Sequence, residues 1–263
     1  MHDDDAAKPP AHDPTERFSD RVADYVRYRP GYPPQLITHL REQGWLPESA
    51  AVADIGAGTG ISSALFLDAG CTVYAVEPNA PMRAAAKEAL AARTNFIAID
   101  GRAEATTLAA ASVDLVGAGT AFHWFDPAPT RAEFARILRR NGHVALFWNL
   151  RDRDSRFMRD YETLLLAHCR GYAEADSSRR ADEASVRSFF AGGLLDSATF
   201  ANAQPLDFDG LVGRVQSSSY APRRGDPAEV PMLAALRELF DRYAVDAHIE
   251  LRYATRLYVG TVS

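Results

Sequence analysis

A glycine-rich turn directly after a short apolar segment constrains the fold of this chain more than any other feature. Residues 51–60 read Ala-Val-Ala-Asp-Ile-Gly-Ala-Gly-Thr-Gly, and the segment that follows can form a helix. Glycine has no Cβ, so the backbone can turn sharply here and lie directly against a ligand. The start of the next helix exposes unpaired amide groups with partial positive charge. The stretch therefore predicts a strand, a tight turn and a helix around a nucleotide-type cofactor.

The composition is that of a soluble globular protein with a sizeable core. The chain has 263 residues, of which 47% are hydrophobic and 24% are charged, and this favours one domain with embellishments. The net charge is -6, with no separate block of Lys and Arg, which disfavours a nucleic-acid partner. The two cysteines are too few for a disulfide framework, so we expect reduced thiols.

The N-terminal residues 1–15 are expected to be a disordered tail. They are acidic and rich in proline, and they lack the basic and apolar blocks of a signal peptide. No apolar run approaches the roughly 20 residues needed to cross a bilayer. We therefore expect a cytoplasmic protein without a membrane partner. The sequence does not indicate an oligomeric state.

Strands and helices are predicted to alternate from residue 51 to residue 149. The predicted strands cover residues 51–55, 72–76, 95–99, 113–118 and 142–149. The predicted helices cover residues 60–69, 80–91, 104–110 and 127–139. This alternation predicts an α/β fold, in which helices cover both faces of a parallel sheet and ligands bind at the carboxyl ends of the strands.

Further elements are predicted on both sides of this core, within a single domain of residues 16–263. The predicted helices there are 17–28, 35–43, 153–172, 182–191, 211–218 and 229–243, and the predicted strands are 197–208 and 249–259. We expect a helical cap (16–50), a cofactor-binding core (51–150) and a last part with lid helices and the final strands (151–263). The sheet would then have seven strands.

The spacing of the glycines distinguishes between two classes of cofactor. The dinucleotide fingerprint is Gly-x-Gly-x-x-Gly, whereas this chain has Gly56-x-Gly58-x-Gly60. Glu77 ends the second predicted strand, where a carboxylate can accept hydrogen bonds from both hydroxyls of a ribose. The polar turn 100–104 follows the third strand and is suited to binding the edge of an adenine. These features indicate an adenosine cofactor.

Several motifs together resemble those of class I S-adenosylmethionine-dependent methyltransferases that act on small molecules. The matching segments are Asp54-Ile-Gly56-Ala-Gly58-Thr-Gly60, Val76-Glu77-Pro78 with Met82, Gly101-Arg102-Ala103-Glu104, Ser112-Val113-Asp114-Leu115-Val116, Ala121-Phe122-His123-Trp124-Phe125 and Leu138-Arg139-Arg140-Asn141-Gly142-His143. The similarity runs from about residue 17 to residue 150. Tyr25 and the segment Tyr28-Arg29-Pro30-Gly31-Tyr32-Pro33 are similar to the trans-aconitate methyltransferase group within that family.

The resemblance implies a Rossmann-like, mostly parallel sheet of seven strands that binds S-adenosylmethionine, with S-adenosylhomocysteine as product and no metal. It places Asp54 near the ammonium of the cofactor, Glu77 at the ribose hydroxyls and Arg29 at the methionine carboxylate. The family often has glutamine where this chain has Thr120. The cofactor-binding residues that it implies are Tyr25, Arg29, Asp54, Gly56, Gly58, Gly60, Glu77, Pro78, Met82, Gly101, Arg102, Ala103, Glu104 and Thr120.

Other interpretations exist for three of these residues. An alternative role for Asp54 is to cap the turn that follows it. The alternative for Arg29 is a cation at the end of a helix. Tyr25, like Tyr28 and Tyr32, either forms a lid or packs in the core of the N-terminal helices.

Four residues are candidates for the substrate side of the site. Methyl transfer from a sulfonium needs no obligatory acid, metal or covalent nucleophile, since alignment and exclusion of water supply most of the rate. His123 follows the fourth strand and is a candidate base, or it shapes the pocket wall together with Trp124. Tyr220 and Arg223 are candidates to bind an anionic substrate, or they belong to a solvated loop.

Three competing functions remain open from the sequence. A nucleic-acid methyltransferase is disfavoured by the acidic balance and by the missing Asn-Pro-Pro-Tyr-type motif after the fourth strand. A nicotinamide-dependent oxidoreductase would share the glycine turn. A non-catalytic protein of the same fold would bind the cofactor for assembly or regulation. The leading hypothesis is methyl transfer to a small-molecule acceptor.

Overall fold

Seven strands form one sheet in the structure, a computed structural model that describes residues 22–175 and 183–262. Their order across the sheet is β3-β2-β1-β4-β5-β7-β6. The strands are β1 (Ala51–Ile55), β2 (Thr72–Val76), β3 (Phe96–Ile99), β4 (Val113–Gly119), β5 (Leu138–Arg151), β6 (Leu194–Leu206) and β7 (Ile249–Gly260).

Helices flank this sheet along the described parts of the chain. They are α1 (Val22–Tyr28), α2 (Gln35–Glu42), α3 (Ile61–Asp68), α4 (Ala80–Ala89), α5 (Pro127–Ile137), α6 (Arg156–His168), α7 (Tyr172–Ala175), α8 (Glu183–Phe190), α9 (Phe208–Gln216) and α10 (Glu229–Tyr243). A short 3-10 helix, Phe122–Trp124, follows β4.

The first five strands are parallel, and β7 is antiparallel to both of its neighbours, β5 and β6. The expected mostly parallel, seven-stranded sheet is therefore confirmed. The chain passes from β1 outward to β2 and β3, and then returns to β4 on the other side of β1. Such a reversal opens a crevice at the carboxyl ends of the two central strands, where ligands of α/β proteins bind. The glycine turn leaves β1 at this point.

Three buried apolar clusters hold the fold together. One cluster lies on each face of the sheet, with Phe134 and Trp148 in the first and Phe66 and Phe147 in the second. The third cluster is formed by α6, α9, α10 and residues of β6 and β7, and it includes Leu165, Leu211, Val215, Leu236 and Leu251. The C-terminal helices thus have a core of their own beside the sheet.

One predicted helix, over residues 104–110, is wrong. The backbone of Arg102 and Ala105 forms a tight two-way hydrogen-bonded turn there instead. Thr106 then donates its backbone N–H to Oε1 of Glu133 on α5, at 2.8 Å. Thr107 follows with φ of 65°, outside the helical region. A long-range contact with Glu133 therefore replaces the local hydrogen bonds of a helix.

Other boundaries differ from the predictions because of capping and strand pairing. The predicted helix 153–172 is divided: α6 starts after Ser155, whose hydroxyl accepts from the N–H of Met158, and Gly171 at φ 75° precedes α7. β5 extends to Arg151 because β7 pairs with it along its whole second half. β6 ends before Asp207, whose carboxylate caps α9.

Some of the expectations concern residues outside the described ranges. The tail 1–15 and the first part of the helix predicted for 17–28 belong to this group. Cys71 and Cys169 are both buried, and neither belongs to a disulfide within the described residues. No helix in the described ranges is long and apolar enough to cross a membrane.

We predict that Gly213→Ala destabilises the docking of α1 on α9. A Cβ at Gly213 would overlap the ring of Tyr28 on α1. Alanine in place of a helical glycine stabilises by about 1 kcal/mol, whereas overpacking costs about 1–3 kcal/mol, so we expect a net loss. Urea unfolding measures the difference. Gly31→Ala is the control, since a Cβ there has no atom within 4 Å. Equal or higher stability of Gly213→Ala would contradict the packing of Tyr28 against this glycine.

Candidate functional site

A cavity of about 420 Å³ lies at the carboxyl ends of the central strands. Its wall contains residues from the glycine turn, the segment after α1, the ends of β2, β4 and β5, and the C-terminal helices. The sequence-predicted residues that line it are Tyr25, Arg29, Gly56, Gly58, Glu77, Pro78, Met82, Arg102, Glu104, Thr120, His123, Trp124 and Tyr220. The fold thus brings residues from distant parts of the sequence around one space.

The glycine turn forms one wall of the cavity. Gly56 and Gly58 have φ of 67° and 57°, a region that favours glycine, and both line the cavity. A Cβ at Gly56 would lie 2.6 Å from the Cβ of Ala121, so the turn also needs glycine for close approach to the segment after β4. Gly60 does not line the cavity: it has φ of 88° and faces Leu90 and Ala86 behind the turn.

Asp54 lies behind the turn rather than in the cavity wall. Its side chain is fully buried, and Oδ2 accepts hydrogen bonds from the hydroxyls of Ser62 at 2.8 Å and Ser63 at 2.6 Å. Oδ1 has no hydrogen-bond partner in the described parts of the chain. Burial raises the pKa of this carboxyl to about 6, against the hydrogen bonds from the two serines. Asp54 therefore stabilises the first turn of α3 through these hydrogen bonds.

Glu77 holds the glycine turn against the start of α4. Its carboxylate accepts a hydrogen bond from the N–H of Gly58 at 2.8 Å and another from the N–H of Asn79 at 2.8 Å. The residue is 8% exposed and lines the cavity. Burial raises the pKa of Glu77. Asn79, which the sequence analysis missed, accepts from the N–H of Met82 and so caps α4.

The turn after β3 contributes two of its four predicted residues to the cavity. Arg102 and Glu104 line it, whereas Gly101 and Ala103 do not. A Cβ at Gly101 would lie 2.9 Å from the carbonyl oxygen of Thr106, so this glycine serves the turn itself. Ala103 is buried in the first apolar cluster. Glu104 accepts a hydrogen bond from the N–H of Asp126 at 3.0 Å, which fixes its position.

Thr120 and Tyr32 join the end of β4 to the segment after α1. Thr120 has φ of 56°, which is uncommon for a residue with a branched side chain. Its hydroxyl lies 3.0 Å from the hydroxyl of Tyr32, and the Tyr32 ring packs edge-on against Phe147. Tyr32 lines the cavity, although it was not among the residues predicted to bind the cofactor.

Arg29 projects into the cavity from the segment after α1. Its guanidinium lies over the ring of Tyr25, 4.7 Å from the ring centre, and donates to the carbonyl oxygen of Ser217 at 3.0 Å. Its Nε has no hydrogen-bond partner in the described residues. Burial, followed by the positive charge of Arg214, lowers the pKa of Arg29. An anion in the cavity would favour the charged form of Arg29 and so offset both of these effects on its pKa.

The substrate candidates are divided by the structure. His123 and Trp124 lie in the 3-10 helix after β4 with ring centres 4.6 Å apart, and both line the cavity. Tyr220 also lines it. Arg223, three residues later, is exposed and does not contribute to the cavity wall. The predicted substrate contact of Arg223 therefore has no support from its position.

Three cavity-lining arginines, Arg151, Arg153 and Arg214, were missed by the sequence analysis, and two of them bond to tyrosine hydroxyls. Arg151 ends β5 and donates to the hydroxyl of Tyr172 at 2.8 Å and to that of Tyr220. Arg214, on α9, is only 4% exposed and donates to the hydroxyl of Tyr253 at 3.1 Å. One signal in the sequence could have indicated Arg214: it is a charged residue between Leu211 and Val215, on the buried face of a helix.

Comparisons with known proteins agree with this geometry. A family described as a methyltransferase domain matches residues 53–146. The chain is 40% identical over 137 residues to an uncharacterized methyltransferase of Mycobacterium tuberculosis, covering 51% of this chain and 53% of that protein. It is 33% identical over 158 residues to one of Schizosaccharomyces pombe, covering 59% and 60%. The chain thus spans about half the length of the mycobacterial relative and somewhat more of the yeast one.

Solved structures share the fold at low sequence identity. A candidate type II methyltransferase of Anaeromyxobacter dehalogenans superposes with a TM-score of 0.67 at 22% identity, over 89% of this chain and 98% of that one. A candidate methyltransferase from an antibiotic biosynthesis pathway of Anabaena variabilis gives a TM-score of 0.60 at 22% identity, over 90% and 99%. The chain has the Rossmann-like fold of class I methyltransferases, and its residues 53–146 match a methyltransferase domain. The similarity to the trans-aconitate group within this family stays a prediction.

We predict a pH-dependent stability difference between the wild-type protein and its Asp54→Asn variant. The pKa of Asp54 is raised from 3.8 to about 6 in the folded protein. As the pH rises from about 4 to about 6, the free energy of unfolding of the wild type therefore falls by about 3 kcal/mol in total. Asparagine stays neutral, so the wild type should be relatively more stable at pH 4 than at pH 7. Urea unfolding without ligand measures this.

The exposed Glu88 on α4 provides the control for this experiment. Glu88→Gln removes a carboxyl that lies in solvent, and its stability should follow that of the wild type from pH 4 to pH 7. Parallel curves for the wild type and Asp54→Asn over the same range would contradict the burial of an ionisable Asp54.

Proposed function

We propose that this chain is an S-adenosylmethionine-dependent methyltransferase that acts on a small-molecule acceptor. The observation that carries the proposal is the position of Glu77, which lines the cavity and whose carboxylate is hydrogen-bonded to the glycine turn. A carboxylate has about four acceptor positions, and the N–H groups of Gly58 and Asn79 occupy two of them. The remaining positions suit the two hydroxyls of a ribose.

The rest of the cavity wall fits the same cofactor. Pro78, Met82 and Arg102 surround the space beyond Glu77, where an adenine would lie against apolar and planar groups. At the opposite end, the unpartnered Nε of Arg29 suits the methionine carboxylate. Gly56 and Gly58 leave room between these two ends. When bound, the cofactor supplies a methyl group on a sulfonium.

The proposed contribution of the protein is alignment. Displacement at a methyl group requires the acceptor atom, the methyl carbon and the leaving sulfur in one line, and a cavity closed to water favours this. The aromatic residues Tyr25, Tyr32, Trp124 and Phe125 line the cavity and limit the water around the acceptor. The leaving thioether needs no proton, so the chain needs no acid at that position.

We predict that S-adenosylhomocysteine binds to the wild type and binds more weakly to Glu77→Gln. The variant replaces one acceptor oxygen by an NH₂ group and removes the charge, and a hydrogen bond to a charged group is worth about 1.5–3 kcal/mol. The expected loss is therefore about 10- to 100-fold in Kd, measured by isothermal titration calorimetry. Glu88→Gln, on the exposed side of α4, should bind like the wild type.

The same titrations address the competing functions. Binding of NADH in place of S-adenosylhomocysteine would favour a nicotinamide-dependent oxidoreductase and would refute the proposal. Binding of S-adenosylhomocysteine without transfer of a tritium-labelled methyl group to any acceptor in a broad panel would favour a non-catalytic role. Retention of RNA or DNA at moderate salt would favour a nucleic-acid methyltransferase.

His123 is proposed as a base for acceptors that lose a proton during transfer. Its imidazole lines the cavity next to Trp124 after β4, where the acceptor would approach. For such an acceptor, His123→Ala should lower turnover and remove the rise of the rate with pH near neutrality. Unchanged turnover with an unchanged pH profile would leave His123 as part of the wall only.

A further inference from the structure

Three guanidinium groups surround one end of the cavity without a carboxylate partner. Arg29, Arg151 and Arg214 all line the cavity, and in the described residues none of them forms an ion pair with Asp or Glu. Buried charges in proteins are ordinarily paired, because an uncompensated charge away from water is costly. The arrangement therefore indicates that an anion completes it.

Neutral groups hold two of these arginines in place and leave donors unused. Arg151 donates one hydrogen bond to the hydroxyl of Tyr172 and another to the hydroxyl of Tyr220. Arg214 bonds to the hydroxyls of Tyr253 and Ser218. A guanidinium has five N–H donors, so each arginine keeps donors for a ligand. The side chains are thus oriented without being neutralised.

The proposed cofactor can neutralise only one of the three guanidiniums. It has one carboxylate, which suits Arg29, and it also brings an ammonium and a sulfonium. Cofactor binding would therefore leave Arg151 and Arg214 without an anion and would add net positive charge. Glu77 and Glu104 also line the cavity, but neither forms an ion pair with these arginines, so the acceptor is the remaining candidate for an anion beside Arg151 and Arg214.

We propose that Arg151 and Arg214 form an oxyanion subsite that anchors a carboxylate or phosphate group of the acceptor. The proposal rests on the proposed function. The anchored group is distinct from the atom that receives the methyl group, since two guanidinium ions withdraw electron density from a bound oxyanion and make it a poor nucleophile. The acceptor is thus a small molecule with an anionic group at one end and a nucleophilic atom towards the sulfonium.

The test uses small anions and the protein loaded with S-adenosylhomocysteine, so that the position at Arg29 is already filled. Benzoate, phenyl phosphate and the neutral benzamide are titrated into the loaded wild type by calorimetry. We expect at least one of the two anions to bind at least tenfold more tightly than benzamide. Which of them binds more tightly distinguishes a carboxylate from a phosphate acceptor.

Matched variants then locate the subsite. Arg151→Gln and Arg214→Gln should each lose at least tenfold in affinity for that anion while keeping their affinity for S-adenosylhomocysteine. If Arg214→Gln does not fold, Arg151→Lys takes its place as the second variant. It retains the positive charge and should show a loss of anion affinity between those of the wild type and Arg151→Gln. Arg140→Gln is the control, because Arg140 is an exposed residue near the other end of β5.

The outcomes separate this inference from the proposed function. A wild type that does not bind S-adenosylhomocysteine contradicts the proposed function itself. A wild type that binds S-adenosylhomocysteine, but binds both anions no better than benzamide, overturns the subsite alone. Anion binding that survives in both Arg151→Gln and Arg214→Gln also overturns it, because the anion then lies elsewhere.

Discussion

The hydrogen bonds of the Glu77 carboxylate are the interaction on which the candidate site depends. One oxygen accepts from Gly58 in the glycine turn, and the other accepts from Asn79 at the start of α4. These bonds join the turn after β1 to the turn after β2, and Asn79 in turn fixes Met82. A single carboxylate thus determines where the backbone of both turns lies, while its remaining lone pairs face the cavity.

The second constraint is the antiparallel insertion of β7 between β5 and β6. Pairing with β7 carries β5 on to Arg151, and the last pair in that register is Arg151 with Tyr253. The third apolar cluster packs α9 beside the same strand, so that Arg214 bonds to Tyr253. The later part of the chain therefore supplies Arg151 and Arg214 to the cavity wall, whereas Glu77 and Glu104 come from the segments after β2 and β3.

The features that could be predicted from the sequence are those that depend on residues close together in the chain. Strand β1, the glycine turn and β2 follow from an apolar run, glycines with positive φ and a strand-end acid, all of them close in sequence. The sequence could not predict the loss of the helix at 104–110, since this depends on Glu133 of α5. Arg151 and Arg214 were missed for the same reason: they are 63 positions apart, and only the pairing of β7 brings them to one cavity.

The distance of the proposed oxyanion subsite from the reacting atoms would decide what its arginines contribute. Methyl transfer moves the positive charge of the sulfonium onto a neutral acceptor atom or cancels it against an anionic one. A guanidinium beside that atom would oppose both, because it would repel the new positive charge or stabilise the unreacted anion. A guanidinium that binds a remote group of the acceptor does not have this effect. Its binding energy holds the nucleophilic atom in line with the methyl carbon instead. An anionic acceptor would also offset the net positive charge that the cofactor adds beside Arg29. Under the proposed function, the arginines without a carboxylate partner therefore serve alignment, while the chemistry takes place near His123 and the glycine turn.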